Sequence, residues 1–167
     1  MRKGFTMIEL IFVIVILGVL ASVAIPRLAA TRDDAEIAKA ATNLSTAVSD
    51  IAAYYTAQGD FKKKPATGTT RTQATLTDMT NALDEVSGLV GYIKVKNVKC
   101  LKVTAADGTA TTNANIKIEK DNAGQSDNTC TNLTKLSGIK NMCGVANQAS
   151  VATLPCTINV GSSGVNF

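Results

Sequence analysis

Histidine is absent from the chain, and so is tryptophan. Without histidine there is no Ser-His-Asp or Cys-His triad and no His-ligated metal centre. Any catalysis would rest on carboxylates, lysine or cysteine. Asp84 and Glu85 are neighbours that point in different directions on a helix, and no Gly-rich phosphate loop follows a strand. No enzyme activity, cofactor or metal site is therefore expected. Aromatics make up 4% of the 167 residues and charged residues 18%. The net charge of +4 and pI near 8.9 are too weak alone to argue for nucleic acid. Apolar residues, by contrast, reach 46%, enough for one domain with a core.

Those apolar residues are concentrated at one end. Residues 5–25 read FTMIELIFVIVILGVLASVAI, with Glu9 as the one charge and Thr6 and Ser22 as the hydroxyls. As a helix this run is roughly 30 Å long, the depth of a bilayer's hydrocarbon core. Met-Arg-Lys-Gly precedes it. A secretory signal cut near Ala24 is one reading, but a carboxylate does not suit its apolar core. A plain N-terminal anchor is another. Arg27 and Arg32 balance Arg2 and Lys3, so the charge rule sets no orientation.

Residues 4–27, GFTMIELIFVIVILGVLASVAIPR, resemble the N-terminus of type IV prepilins and type II secretion pseudopilins. The likeness lies in the basic leader ending in Gly4, in Phe5, Thr6, Ile8 and Glu9 in order, and in the apolar run closed by Pro26-Arg27. A weaker likeness extends to Tyr54-Tyr55 and Gly59-Asp60-Phe61, which resemble pseudopilin helix ends. The resemblance implies cleavage by a membrane-embedded prepilin peptidase between Gly4 and Phe5, with N-methylation of Phe5. Methylation leaves that amine protonatable. Loss of Arg2 and Lys3 lowers the side-chain net charge from +4 to +2.

Glu9 then acquires a purpose. A carboxylate inside a hydrocarbon helix costs on the order of 2.5–3.5 kcal/mol and normally has a partner. The amine of Phe5, on the same helix or on a neighbouring subunit, is the candidate. In an apolar filament core such a pair is poorly screened and sets the register between helices. The bland alternative is a Glu snorkelling to the interface.

The expected fold is α+β, a long N-terminal helix packed on a small antiparallel sheet, with a leader at 1–4, the helix at 5–57 and a head at 58–167. A kink is expected at Pro26. A second N-cap at Thr31–Asp34 is the lesser reading. Beyond Pro26, Ile37, Ala41, Leu44, Val48, Ile51 and Tyr55 mark one helical face, and Asp33, Asp34, Glu36, Lys39 and Asp50 the other. Residues 59–75 read as a loop. Leu76, Met79, Leu83 and Val86 predict a short helix started by Thr75 and stopped by Gly88. Ile93 and Val95 alternate with lysines, a phase shift predicts a bulge near Asn97, and Leu101 and Val103 continue the strand. Asp107-Gly108 turns the chain, and Ile116 and Ile118 return it.

Cys100, Cys130, Cys143 and Cys156 form no CxxC pair, so two disulfides are expected outside the membrane. Of three pairings, the uncrossed Cys100–Cys130 with Cys143–Cys156 is preferred. Four reduced thiols is the alternative. The oxygen-rich loop around Asp121, Asn122, Gln125, Ser126, Asp127 and Asn128 matches no EF-hand and reads as solvated. Lys94, Lys96, Lys99 and Lys102 read as a polar strand face, so nucleic acid is not an expected partner.

The function expected from the resemblance is a structural subunit of a pilus-like or secretion-pseudopilus filament. It would sit in the bacterial inner membrane before assembly and in a periplasmic or extracellular filament afterwards. Its partners would be copies of itself, the prepilin peptidase, an inner-membrane assembly platform and other minor pilins. The alternatives are a monomeric anchored binding domain and an uptake pilus subunit touching DNA.

Overall fold

Residues from Met7 to Gln58 form one helix, α1 (Met7–Gln58), with Pro26 inside it. It continues through Pro26 and through Thr31–Asp34, so neither ends it. The computed structural model describes residues 6–65, 69–109, 112–144 and 154–161. The chain divides into two units, Met1–Ala35 and Glu36–Phe167. In the first, α1 is accompanied by no sheet or second helix among the described residues.

In the second unit, α1 stops where Gly59 takes φ +79° and its N–H donates to the Tyr55 carbonyl at 2.7 Å. A left-handed residue closing the last turn is the usual glycine stop. The buried stripe is Ile37, Ala40, Leu44, Ala47 and Ile51. It is shifted slightly from the predicted one, with Ala41, Val48 and Tyr55 flanking it half-buried. This stripe shares one core with a five-stranded antiparallel sheet, β3 (Glu85–Ser87), β4 (Val90–Val95), β5 (Val98–Ala106), β6 (Ala114–Lys120) and β7 (Cys156–Val160). The strands are ordered as in the chain, a meander. Ile93, Leu101, Val103, Ile116 and Ile118 face inward at 0% exposure. Each such side chain contributes on the order of 1.5–3 kcal/mol when fully buried.

Several local expectations need correction. The stretch expected as a helix from Leu76 to Val86 is a single 3₁₀ turn, Leu76–Asp78, followed by β3. Asp78 takes hydrogen bonds from the N–H and hydroxyl of Thr75, both at 2.8 Å, which completes one turn and leaves nothing to propagate. The predicted loop holds a small hairpin, β1 (Lys62–Lys63) with β2 (Thr72–Gln73). The phase shift near Asn97 has two causes. Lys96 and Asn97 form the tight turn between β4 and β5, Lys96 with φ 57°. The bulge itself lies at Cys100, where the register passes from Lys94↔Lys99 to Ile93↔Leu101. It turns the consecutive Cys100 and Leu101 both inward. Two short helices, α2 (Asn128–Lys135) and α3 (Ser137–Met142), and strand β7 carried no prior expectation.

The loop after α1 is held by long-range bonds. Phe61 is fully buried, its ring 5.1 Å from that of Tyr55, and its N–H donates to Asp107 at 2.6 Å. Arg71 donates to Asp60 at 2.9 Å and to the Lys62 carbonyl at 2.7 Å. Gly161, at φ +82°, lies where a Cβ would come 2.6 Å from the Tyr55 ring.

On the outer face, Glu85 sits between Lys94 at 2.9 Å and Lys99 at 2.7 Å. Lys99, then Lys94, holds its carboxyl well below the usual range, at about 2. A depressed carboxylate stabilises the fold in full above its unfolded value near 4.5, and the gain fades as the pH falls toward 2. In thermal unfolding, Glu85→Gln is therefore expected to lower Tm at pH 6 and to match the parent near pH 2. An equal deficit at both pH values would contradict this ion triad.

Candidate assembly and anchoring site

The exposed half of α1 is the most unusual surface of the chain. From Met7 to Leu28 its large apolar side chains are 42–82% exposed. A soluble monomer rarely shows so large an apolar patch. α1 is long and apolar enough to cross a membrane. Hydroxyls inside the run are turned back on the helix, with Ser22 donating to the Val19 carbonyl at 2.7 Å. At Gly18 an added Cβ would meet nothing within 4 Å, so this turn is open to a neighbour or to lipid.

Glu9 is the one acidic group in this surface, and the structure gives it local partners. One carboxylate oxygen, Oε2, accepts from the Thr6 N–H at 2.9 Å and from the Thr6 hydroxyl at 2.7 Å. The Glu9 N–H reaches back to the same hydroxyl at 3.4 Å. This is a capping box on the first turn of α1. Its Thr-x-x-Glu spacing is a signal already present in the sequence. Both cap donors belong to Thr6, so they survive a cut before Phe5. Gly4 and Phe5, the expected cleavage and methylation positions, lie outside the described residues.

The remaining candidate positions belong to the head. Cys100 is bonded to Cys130 and Cys143 to Cys156. The first bridge fixes α2 to the bulge of β5, and the second fixes the end of α3 to the start of β7. Gly124 packs beside the first, where a Cβ would lie 2.7 Å from the Lys99 carbonyl oxygen and 2.9 Å from Cys130 Sγ. In the oxygen-rich loop, Asp121 accepts from the Ala123 N–H at 3.0 Å, and Asp127 caps α2 through Thr129 N–H at 2.8 Å and Cys130 N–H at 3.2 Å. These carboxylates are used in starting helical turns. Among the described residues no group of three or more Cys, Asp and Glu side chains is poised around a common point.

Comparison with protein families returns the prokaryotic N-terminal methylation motif, which matches residues 1–25. The chain thus carries the type IV prepilin and pseudopilin signature, the mark of a structural rather than a catalytic family. No curated protein and no solved structure matches the chain.

Proposed function

We propose that this chain, whose first residues carry the prepilin signature, is a structural subunit of a type IV pilus-like or type II secretion pseudopilus filament. Prepilin peptidase cuts between Gly4 and Phe5 and methylates the Phe5 amine. The mature chain waits in the bacterial inner membrane through residues 5–25. An inner-membrane assembly platform then draws it, with minor pilins, into a periplasmic or extracellular filament built from many copies of the chain. Pro26 lacks the N–H that would brace its turn, which gives the helix a place to bend as it leaves the bilayer.

One observation carries the reading: the methylation motif leads straight into the exposed apolar stretch of α1, residues 7–28, in which Glu9 is the sole acid. The carboxylate uses Oε2 for Thr6, and among the described residues no bond takes up Oε1, the oxygen we assign to the amine of an adjacent subunit. A monomeric anchor would need the same apolar surface but has no use for a buried charge. The likeness of Tyr54-Tyr55 and Gly59-Asp60-Phe61 to pseudopilin helix ends favours the secretion pseudopilus.

Intact mass and N-terminal sequencing of membrane and sheared fractions test this. The expected result is a chain beginning at methylated Phe5 in both fractions. A chain beginning at Met1 and confined to membranes would overturn the proposal.

A further inference from the structure

The two bridges of the head differ in how a further thiol could reach them. Cys100 and Cys130 are 1% and 3% exposed. Gly124 closes over that bridge so tightly that a Cβ there would lie 2.9 Å from Cys130 Sγ. An attacking sulfur has no way in while this part of the head is folded. Cys143 is half-buried where α3 ends, beside the exposed Gly144 at φ +72°. Its partner Cys156 is 8% exposed at the start of β7. One bridge is sealed in the core, and the other has an open end at Cys143.

Charge favours the same end. Beyond Asp127 the sequence holds no Asp or Glu, and its charged side chains are Lys135 and Lys140. Lys140 stands three residues before Cys143, close to one helical turn. Exchange proceeds through an attacking thiolate, and a partly exposed, electropositive setting favours its approach.

The strand tied by this bridge has modest support besides it. β7 comes last in the sheet order and pairs with β6. Thr157 and Asn159 are exposed and Ile158 is half-buried, while Val160 is buried at the far end. The sealed bridge joins cysteines 30 residues apart and the open one cysteines 13 apart. Opening the shorter loop gives up less of the chain-entropy gain. The head can therefore lose this bridge as a local event, with β3–β6 and the Cys100–Cys130 bridge kept.

We propose that Cys143–Cys156 is a thiol–disulfide exchange site for a dithiol protein of the Cys-x-x-Cys class, and that its redox state sets how firmly β7 is seated. The partner's thiolate attacks Cys143 Sγ, the S–S bond breaks, and Cys156 leaves as a thiolate that takes a proton from water. The partner's second thiolate then attacks the mixed disulfide and releases the Cys143 thiolate, which is protonated in turn. The head gains two electrons and two protons, and the partner's dithiol is oxidised to a disulfide. This inference stands on the head and does not require the filament.

The test uses the oxidised full chain in non-ionic detergent without denaturant. Dithiothreitol and then reduced thioredoxin serve as the dithiol, with iodoacetamide quenching and peptide mass mapping of each cysteine. Cys143 and Cys156 should become alkylated together, about ten-fold or more faster than Cys100 and Cys130. Thioredoxin lacking its resolving cysteine should be trapped on Cys143. In the opened chain, hydrogen exchange at β7 should quicken about ten-fold or more with β4 and β5 unchanged, and Cys143→Ser with Cys156→Ser should reproduce that pattern. One common alkylation rate for all four cysteines, earlier opening of Cys100–Cys130, or no opening by thioredoxin would each overturn the proposal. Trapping on Cys156, or unchanged exchange at β7 after opening, would do the same.

Discussion

Glu9→Gln is expected to lower the yield of sheared filaments by about ten-fold or more, the equivalent of at least 1.4 kcal/mol per ten-fold step, while cleaved protein in the membrane stays at its normal level. Glutamine keeps an acceptor oxygen for the Thr6 N–H and remains a permitted member of the capping box, so the first turn of α1 survives. It also removes the cost of a buried charge, so insertion into the bilayer should improve rather than suffer. What it loses is the attraction between carboxylate and a neighbour's amine. Glu9→Lys adds like-charge repulsion and should abolish filaments outright. Blotting sheared and membrane fractions side by side checks both. Filaments of Glu9→Gln at parental abundance would remove the pairing from the account.

The second large effect is expected at Gly124. Its added Cβ would meet the Lys99 carbonyl oxygen at 2.7 Å and Cys100 Cα at 2.9 Å, both backbone atoms, and Cys130 Sγ at 2.9 Å. Backbone can yield here only by deforming the bulge at Cys100 or moving α2. Gly124→Ala should therefore cost about 1–3 kcal/mol, as overpacking does. Opening the neighbouring bridge with Cys100→Ser and Cys130→Ser should cost about 2–5 kcal/mol. The triple variant should cost less than the sum, because a freed Cys130 position no longer presses on residue 124. Denaturant midpoints of the oxidised full chain, with thiol titration, measure this. Unchanged midpoints in Gly124→Ala would show that the contact relaxes without cost.

Features with long-range periodicity were readable from the sequence. The stripe from Ile37 to Ile51 and the alternations at Ile93–Val95, Leu101–Val103 and Ile116–Ile118 each repeat one rule several times, and all are buried in the common core. Elements decided by a single contact were not readable. Leu76, Met79, Leu83 and Val86 have helical spacing, yet Thr75 and Asp78 close one turn and Val86 pairs with Gly91 as a strand edge. The bulge was detectable as a phase slip, but its position depends on where Cys100 meets Cys130. β7 is five residues with Thr157 and Asn159 facing out, too short and polar to stand apart from loop. At the site, Glu9 is conspicuous in the sequence because it is costly in lipid, and the Thr-x-x-Glu spacing that lets it bond Thr6 is legible there too.

The order of the sheet has a kinetic consequence. Every strand from β3 to β7 pairs with its neighbour in the chain. Closing each pair therefore spans a short loop except the last, and loop entropy grows only slowly with length. Such local pairing speeds folding. A head built this way can add its strands in chain order, and the bridge from Cys143 to Cys156 ties β7 to the end of α3.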